Sequence, residues 1–309
     1  MVVYHEYYIY GRDNRLIEKK EPGYVKKLRT TGFLFFLPVL IYFIIFLIGP
    51  IVAALFFSFT RYTVLSAPQF IGFKNYLRIF TMSSFSNSLK VTGVYVITRL
   101  SVILILAFFM ALLINKKIPF SGFFQAVYFM PYVFPLAVTS IIWKLFYRPF
   151  GLIEQITSIL GLGYMPWLSS ETLALPAITI TTVWSATGYY SIILLAGLQT
   201  IPEEVLEAAT IDGAGSLRRF FSVILPLMKP TLFYIIVVGT INSIRGFTPF
   251  LVMTGGGPGE ATRPIGLLIY DYGFVHLRMG LASAMSVVAV VLILIFTLFQ
   301  RRIYKYEGG

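Results

Sequence analysis

A chain of 309 residues that is 57% hydrophobic, has a mean hydropathy of +0.81 and is only 12% charged carries more apolar side chain than a soluble core needs. Uncharged runs of about 20 residues match a bilayer core of roughly 30 Å, and the short alternating strands of a membrane barrel are absent, so the sequence predicts an all-α polytopic membrane protein. A net charge of +12 reads as flanks that orient membrane spans rather than as a nucleic-acid surface; the lack of cysteine excludes disulfides and thiol chemistry, and His5 and His276 are too few and too far apart for a metal site.

Residues 1–31 are mixed and charged, without the apolar segment of a signal peptide, and read as a cytoplasmic tail. The rest, 32–309, reads as one membrane domain of six transmembrane helices. The first span covers about 33–59, with kinks expected at Pro38 and Pro50. A polar segment follows at 61–87, where "FIGFKNYLRIF" has the spacing of a short surface helix. The second span covers 91–114 and is closed by Asn115, Lys116 and Lys117. The third covers 123–142, with Pro131 and Pro135 inside, and Trp143, Lys144, Tyr147 and Arg148 form an interfacial belt beyond it. A loop with a short amphipathic helix leads to the fourth span at 173–198. The fifth covers 232–253 and is followed by the glycine-rich "TGGGPGEATRP"; the sixth covers 281–299, closed by Arg301, Arg302 and Lys305.

Six spans put both termini on one side. Fifteen Lys and Arg fall on that side and eight on the other, so the richer side is the cytoplasmic one. The polar stretch 201–230 between spans four and five then faces the cytoplasm. Pro202 suits a first helical turn. Glu203, Glu204 and Glu207 favour the positive end of the helix dipole. Ala208 and Ala209 offer a small flank, and Gly213 can end the helix at positive φ. A second helix is expected over 216–224, broken by Leu225-Pro226 as the chain re-enters the membrane, with Phe220, Leu225 and Pro226 as its anchors. On pattern alone this is a surface helix–turn–helix or a docking element for a soluble partner.

"EAATIDGAGSLRRFFSVILP" resembles the EAA loop of permeases of ATP-binding cassette importers, in which EAA is followed by a glycine and then by Ile-x-Leu-Pro. Glu207, Ala208, Ala209, Gly213, Leu225 and Pro226 match, and Val223 stands where isoleucine is usual. "FIGFKNY", "NSL", "WLSS", "LAGLQTIPEEVLEAATIDGA" and "TGGGP" are similar to the maltose-type carbohydrate subfamily over about residues 30–300. The resemblance implies a six-helix permease domain whose EAA loop (201–230) is a cytoplasmic coupling helix. Glu203, Glu204, Glu207, Ala208, Ala209, Asp212, Gly213, Leu225 and Pro226 would take force from an ATPase. It implies two cytoplasmic cassette subunits that use the ATP and Mg, a second homologous permease, commonly a different chain, and an extracellular or periplasmic solute-binding protein that delivers a saccharide. The chain itself would hold no cofactor and hydrolyse nothing, in keeping with the absence of a GxxxxGK[ST] loop. Its place would be the cytoplasmic (inner) membrane of a bacterium or archaeon.

Two arginines lie within spans, Arg99 near the midplane and Arg245 in the outer half of its span. A mid-span arginine costs about 2.5–3.5 kcal/mol on insertion scales, and all thirteen acids fall in loops or tails. Snorkelling accounts for Arg245 as readily as function does. For Arg99 a polar cavity, an acid of the partner permease, or an anionic ligand remain open. Asn242, Ser243 and Thr248 surround Arg245 in sequence, and "GFTPF" suggests a broken helix beside a cavity. Trp184, Gly188 and Tyr189 could offer a sugar stacking and hydroxyl contacts, although ordinary packing is the better account of any single one of them. A di- or oligosaccharide is the expected cargo, with an acidic saccharide or a phosphorylated polyol as further options. A self-sufficient transporter or channel would need in-span carboxylates, and a membrane enzyme would need a nucleophile–base pair; the spans offer neither.

Overall fold

The computed structural model describes residues 9–10, 16–17, 23–115 and 119–303. Most of the expected tail, with His5, falls outside these residues, as do Lys116, Lys117 and Lys305. The chain forms two compact units that divide between Ala54 and Leu55.

In the first unit, two short strands, β1 (Ile9–Tyr10) and β2 (Leu16–Ile17), pair antiparallel ahead of helix α1 (Gly23–Phe43). Pro38 sits within α1. A π turn, Ile44–Ile48, joins α1 to α2 (Gly49–Ser58), with the Gly49 N–H donating to the Ile44 carbonyl. The irregularity expected at Pro50 is therefore a π-bulge just before it, where the widened turn absorbs the missing i→i−4 bond. Phe35 is 81% exposed and Phe46 66%. A helix apolar all round is a helix for hydrocarbon.

The second unit begins with the last residues of α2 and continues with a hairpin of β3 (Thr60–Arg61) and β4 (Gln69–Phe70) and the amphipathic α3 (Lys74–Thr81). Asn75 fixes α3 by donating through Nδ2 to the carbonyls of Ser58 (2.9 Å) and Thr60 (2.8 Å). α4 (Ser83–Asn115) starts eight residues before the expected span, because the hydroxyl-rich "SSFSNSLK" continues the helix rather than the loop. At 33 residues it reaches about 50 Å.

The third expected span is not a single rod. α5 (Ser121–Val133) and α6 (Leu136–Phe146) meet at 94°. Pro135 forces Phe134 into an extended conformation and caps α6, whereas Pro131 is carried inside α5. The short amphipathic α7 (Leu152–Ile159) follows, then α8 (Ala174–Gln199). α8 carries Thr179, Thr181 and Thr187, whose hydroxyls donate to carbonyls one turn back, a way of keeping polar groups satisfied at membrane depth.

Beyond α8 come α9 (Glu203–Ile211), α10 (Ser216–Arg219), a π turn over Phe220–Ile224, α11 (Leu225–Leu227) and α12 (Lys229–Arg245). α12 stops at Gly246 and the chain resumes as α13 (Thr248–Met253). After the glycine-rich loop, α14 (Ile265–Tyr270) and a π turn over Asp271–Val275 lead to α15 (Met279–Ile303). Among the described residues five helical stretches are long and apolar enough to cross a bilayer, 27–58, 83–115, 174–199, 229–253 and 279–302, and the bent α5–α6 pair is a sixth when counted as one span.

The core of the second unit is layered along α4 and α8. Ile103, Ala107 and Ala111 of α4 meet Ala186, Tyr190 and Leu194 of α8 together with Leu232 and Ile235 of α12. Small residues let these helices approach closely, as association within lipid requires. At Gly188 of α8 a Cβ would lie 2.0 Å from the Tyr128 carbonyl oxygen of α5, so only glycine fits.

Candidate functional site

The 201–230 stretch folds as a rigid corner. Pro202 is the N-cap of α9 rather than its first turn, and Glu203 and Glu204 occupy the first turn, where the helix dipole favours them. The far end is a Schellman closure: the Gly213 N–H donates to the Thr210 carbonyl at 3.1 Å and the Ala214 N–H to the Ala209 carbonyl at 3.0 Å, with Gly213 at φ +75°. Gly213 ends the helix as its sequence position predicts. Arg219 of α10 then donates through Nη1 to Thr210 Oγ1 at 3.0 Å, tying the second arm to the first.

The expected break at Leu225-Pro226 does not occur. Leu225 is helical (φ −61°, ψ −42°), and its N–H donates to the Phe220 carbonyl. The π turn ahead of Pro226 has already displaced the i→i−4 ladder, so the proline removes little and the helical path runs on toward α12. Of the expected anchors, Phe220 and Leu225 pack against the core. Pro226 is exposed. Met228, only 1% exposed, and Ile201 are the buried members of the core cluster here, with Leu206, Phe220, Ile224 and Leu225 packed against it. The Phe220 ring meets Phe108 of α4 edge-on at 5.2 Å. Outward, Glu204, Glu207, Ala208 and Asp212 are exposed, Ala209 is half-buried, and Ile211 and Leu217 are 86% and 77% exposed. An open groove of about 520 Å³ runs between the arms, lined by Glu203, Leu206, Glu207, Thr210, Ile211 and Arg219. The corner is thus fastened by its inner face and offers acids, alanine and two bare apolar side chains on its outer one.

The second place is a cavity of about 310 Å³ where two interruptions, the α5–α6 bend at Phe134 and Leu136 and the α12–α13 break at Gly246 and Pro249, converge on the middle of α4. Arg99, the midpoint of α4, lines it and is only 8% exposed. Its Nη1 donates to Ser243 Oγ at 2.8 Å, and Ser243 in turn donates to the Gly239 carbonyl at 2.7 Å. One turn away on α4, the Tyr95 hydroxyl donates to Thr182 Oγ1 at 3.0 Å, and Tyr132, Ser185 and Asn242 add further polar lining.

Of the residues singled out in the sequence, Arg99 and Asn242 line this cavity. Tyr189 lies one ring behind it, stacked on Tyr132 with centroids 4.5 Å apart. Trp184 is 45% exposed and packs edge-on against Trp143, outside the lining. Arg245 is exposed at the end of α12, and Thr248 begins α13; neither lines the cavity. Sequence proximity joins Ser243 to Arg245, whereas the fold hands it to Arg99. Tyr95, Tyr132, Thr182 and Ser185 escaped the sequence reading. Tyr95 lies four residues before Arg99, one helical turn along the same face, and that spacing was the available signal.

Residues 103–305 match the family described as the binding-protein-dependent transport system inner membrane component. The trehalose/maltose transport system permease protein MalF of Thermococcus litoralis is 36% identical over 297 residues, covering 96% of this chain and 99% of that one. The sn-glycerol-3-phosphate transport system permease protein UgpA of Agrobacterium fabrum is 32% identical over 268 residues, covering 86% and 91%. A chain of a bacterial transporter described as importing the acidic polysaccharide alginate superposes with a TM-score of 0.79 at 21% identity, covering 93% of this chain and all of that one. A polytopic helical bundle carrying that corner, matched along two thirds of its length by one family and nearly end to end by these relatives, belongs to the inner membrane components of binding-protein-dependent transport systems.

Proposed function

We propose that this chain is one of two permease subunits of an ATP-binding cassette importer for a di- or oligosaccharide. The second permease is a related chain, a solute-binding protein delivers the cargo from outside, and two cytoplasmic cassette subunits bind and hydrolyse the ATP. Both termini and the 201–230 corner face the cytoplasm of a bacterium or archaeon, in agreement with the charge count and six membrane crossings.

The observation that carries the reading is the corner itself: a short helix closed at Gly213, fastened through Phe220 and Met228 to the core, with its acids outward. A part of this shape transmits displacement. ATP-driven closure of the cassettes would move α9, and the Phe220–Phe108 contact would pass the motion to α4. Glu203, Glu204, Glu207, Ala208, Ala209, Asp212 and Gly213 meet the cassette in this scheme, whereas Leu225 and Pro226 belong to the path back to the membrane. Arg99 and Asn242 line the solute route, and Tyr189 supports it through Tyr132. The 36% identical trehalose/maltose relative supports a saccharide cargo. A phosphorylated polyol is the second reading, favoured by the 32% identical glycerol-3-phosphate relative.

The test is uptake into proteoliposomes holding the full transporter. Ala208→Arg or Gly213→Glu is expected to abolish ATP-dependent uptake and to release the cassette subunits, while the variant chain still inserts and pairs with the second permease. Solute accumulation by this chain without any cassette subunit would instead mark a self-sufficient transporter.

A further inference from the structure

The cavity holds a charge that nothing around it answers. Arginine stays protonated in proteins, and Arg99 is more than nine-tenths buried. Among the described residues no carboxylate pairs with it. Ser243 offers Nη1 a neutral oxygen and spends its own hydrogen on Gly239. The Nε of Arg99 is buried without any acceptor. Two demands are open at one side chain: a countercharge and an acceptor. A sugar hydroxyl meets the second and leaves the first. An oxyanion meets both, because the guanidinium fork takes two oxygens of one carboxylate, phosphate or sulfonate.

The surroundings fit an anion borne on a polyhydroxylated body. Thr182, Ser185 and Asn242 provide hydroxyl and amide groups around Arg99, and the rings of Tyr95 and Tyr132 provide flat apolar walls. A volume of about 310 Å³ stands at the small end of ligand sites, room for one sugar or polyol unit rather than a chain of them. A carboxylate of the partner permease could also neutralise Arg99, but it would occupy the charge permanently and leave the polar lining with no ligand to read.

We propose that this cavity is an anion-reading subsite, in which Arg99, positioned by Ser243, pairs with the acidic group of the transported solute. The proposal rests on the importer reading and narrows its cargo to anionic polyhydroxylated solutes. A neutral solute leaves the buried guanidinium uncompensated, so the subsite holds it less tightly than an anion for want of a partner charge rather than by size.

Binding to the purified assembly of both permeases and the cassette subunits, without the binding protein, tests this by quenching of tryptophan fluorescence. The probes are digalacturonate, its neutral dimethyl ester, glycerol 3-phosphate and trehalose. At least one anionic probe is expected to bind roughly tenfold or more tightly than trehalose, as loss of a charged hydrogen-bonded pair implies. Digalacturonate against glycerol 3-phosphate tells a uronate source of the anion from a phosphate one. If digalacturonate is the preferred anion, its dimethyl ester should lose the advantage on the unaltered protein, a control that needs no variant. Arg99→Gln should bring the anionic and neutral affinities together, and Arg99→Lys should retain part of the preference.

The subsite is overturned if neither anion is preferred, or if the preference survives Arg99→Gln. It is overturned in favour of a partner carboxylate if Arg99→Gln separates the two permeases and weakens all probes alike. Each of these results leaves the importer reading standing; that reading falls only if uptake proceeds without the cassette subunits.

Discussion

In the 201–230 corner every structural part lies within thirty residues of sequence: the acids of the first turn, the Schellman glycine, the arginine that ties one arm to the other, and the aromatic anchor. Around the cavity, Tyr95 and Arg99 come from α4, Tyr132 and Leu136 from either side of the α5–α6 bend, Thr182 and Ser185 from α8, and Asn242 and Pro249 from either side of the α12–α13 break. The corner is a local object on the surface, and the cavity is a non-local one in the interior. The corner should therefore tolerate changes that alter coupling without disturbing the bundle, whereas changes near the cavity act through helix packing or through the charge.

The largest effect is expected where the interior is tightest. Gly188→Leu drives a side chain into the Tyr128 carbonyl, where even a Cβ would sit 2.0 Å away. Backbone–backbone approach leaves no flexible end to yield, so the cost should reach about 3 kcal/mol or more. The α5–α8 contact should open, and detergent-solubilised transporter should lose heat stability or fail to assemble. A variant as stable as the unaltered chain would show that α5 and α8 are not held at this distance in the assembled membrane protein.

Phe220→Ala comes next and acts on the corner. The ring is half-buried and faces Phe108 at 5.2 Å, so removal should cost about 1–2 kcal/mol, below the ~3–5 kcal/mol of a fully buried phenylalanine. The bundle should still fold and the cassettes still bind. ATP hydrolysis should continue while uptake per ATP falls, because α9 would move without carrying α4. Equal losses in both rates would place the anchor elsewhere, with Met228 the first alternative.

The same contrast explains what could be read from the sequence. The all-α bundle, the span order, the α9 turn and the Gly213 closure follow from hydropathy and from local turn chemistry, both of which act over a few residues. The α5–α6 bend was visible as Pro135 but not as a right angle, since its size depends on what α6 packs against. The helix through Leu225-Pro226 is not legible in the sequence, because a π turn, set by the path toward α12, removes the conflict that proline normally creates. Ser243 stands two positions before Arg245 in sequence, yet its hydroxyl meets Arg99 of α4. Buried polar pairs across helices leave no trace in a single sequence beyond the cost of the charge itself.

The smallest effect tests whether the corner behaves as one body. Arg219 donates to Thr210 Oγ1 across the two arms at an exposed position, and such a contact contributes at most about 1 kcal/mol. Arg219→Ala should leave assembly and melting temperature within error of the unaltered transporter. If α9 and α10 move together, loosening their tie should nonetheless lower uptake per ATP measurably, by a smaller factor than Phe220→Ala. An unchanged transport-to-hydrolysis ratio would assign all the stiffness of the corner to the Gly213 closure, where the two backbone hydrogen bonds of the Schellman turn already fix the angle between its arms.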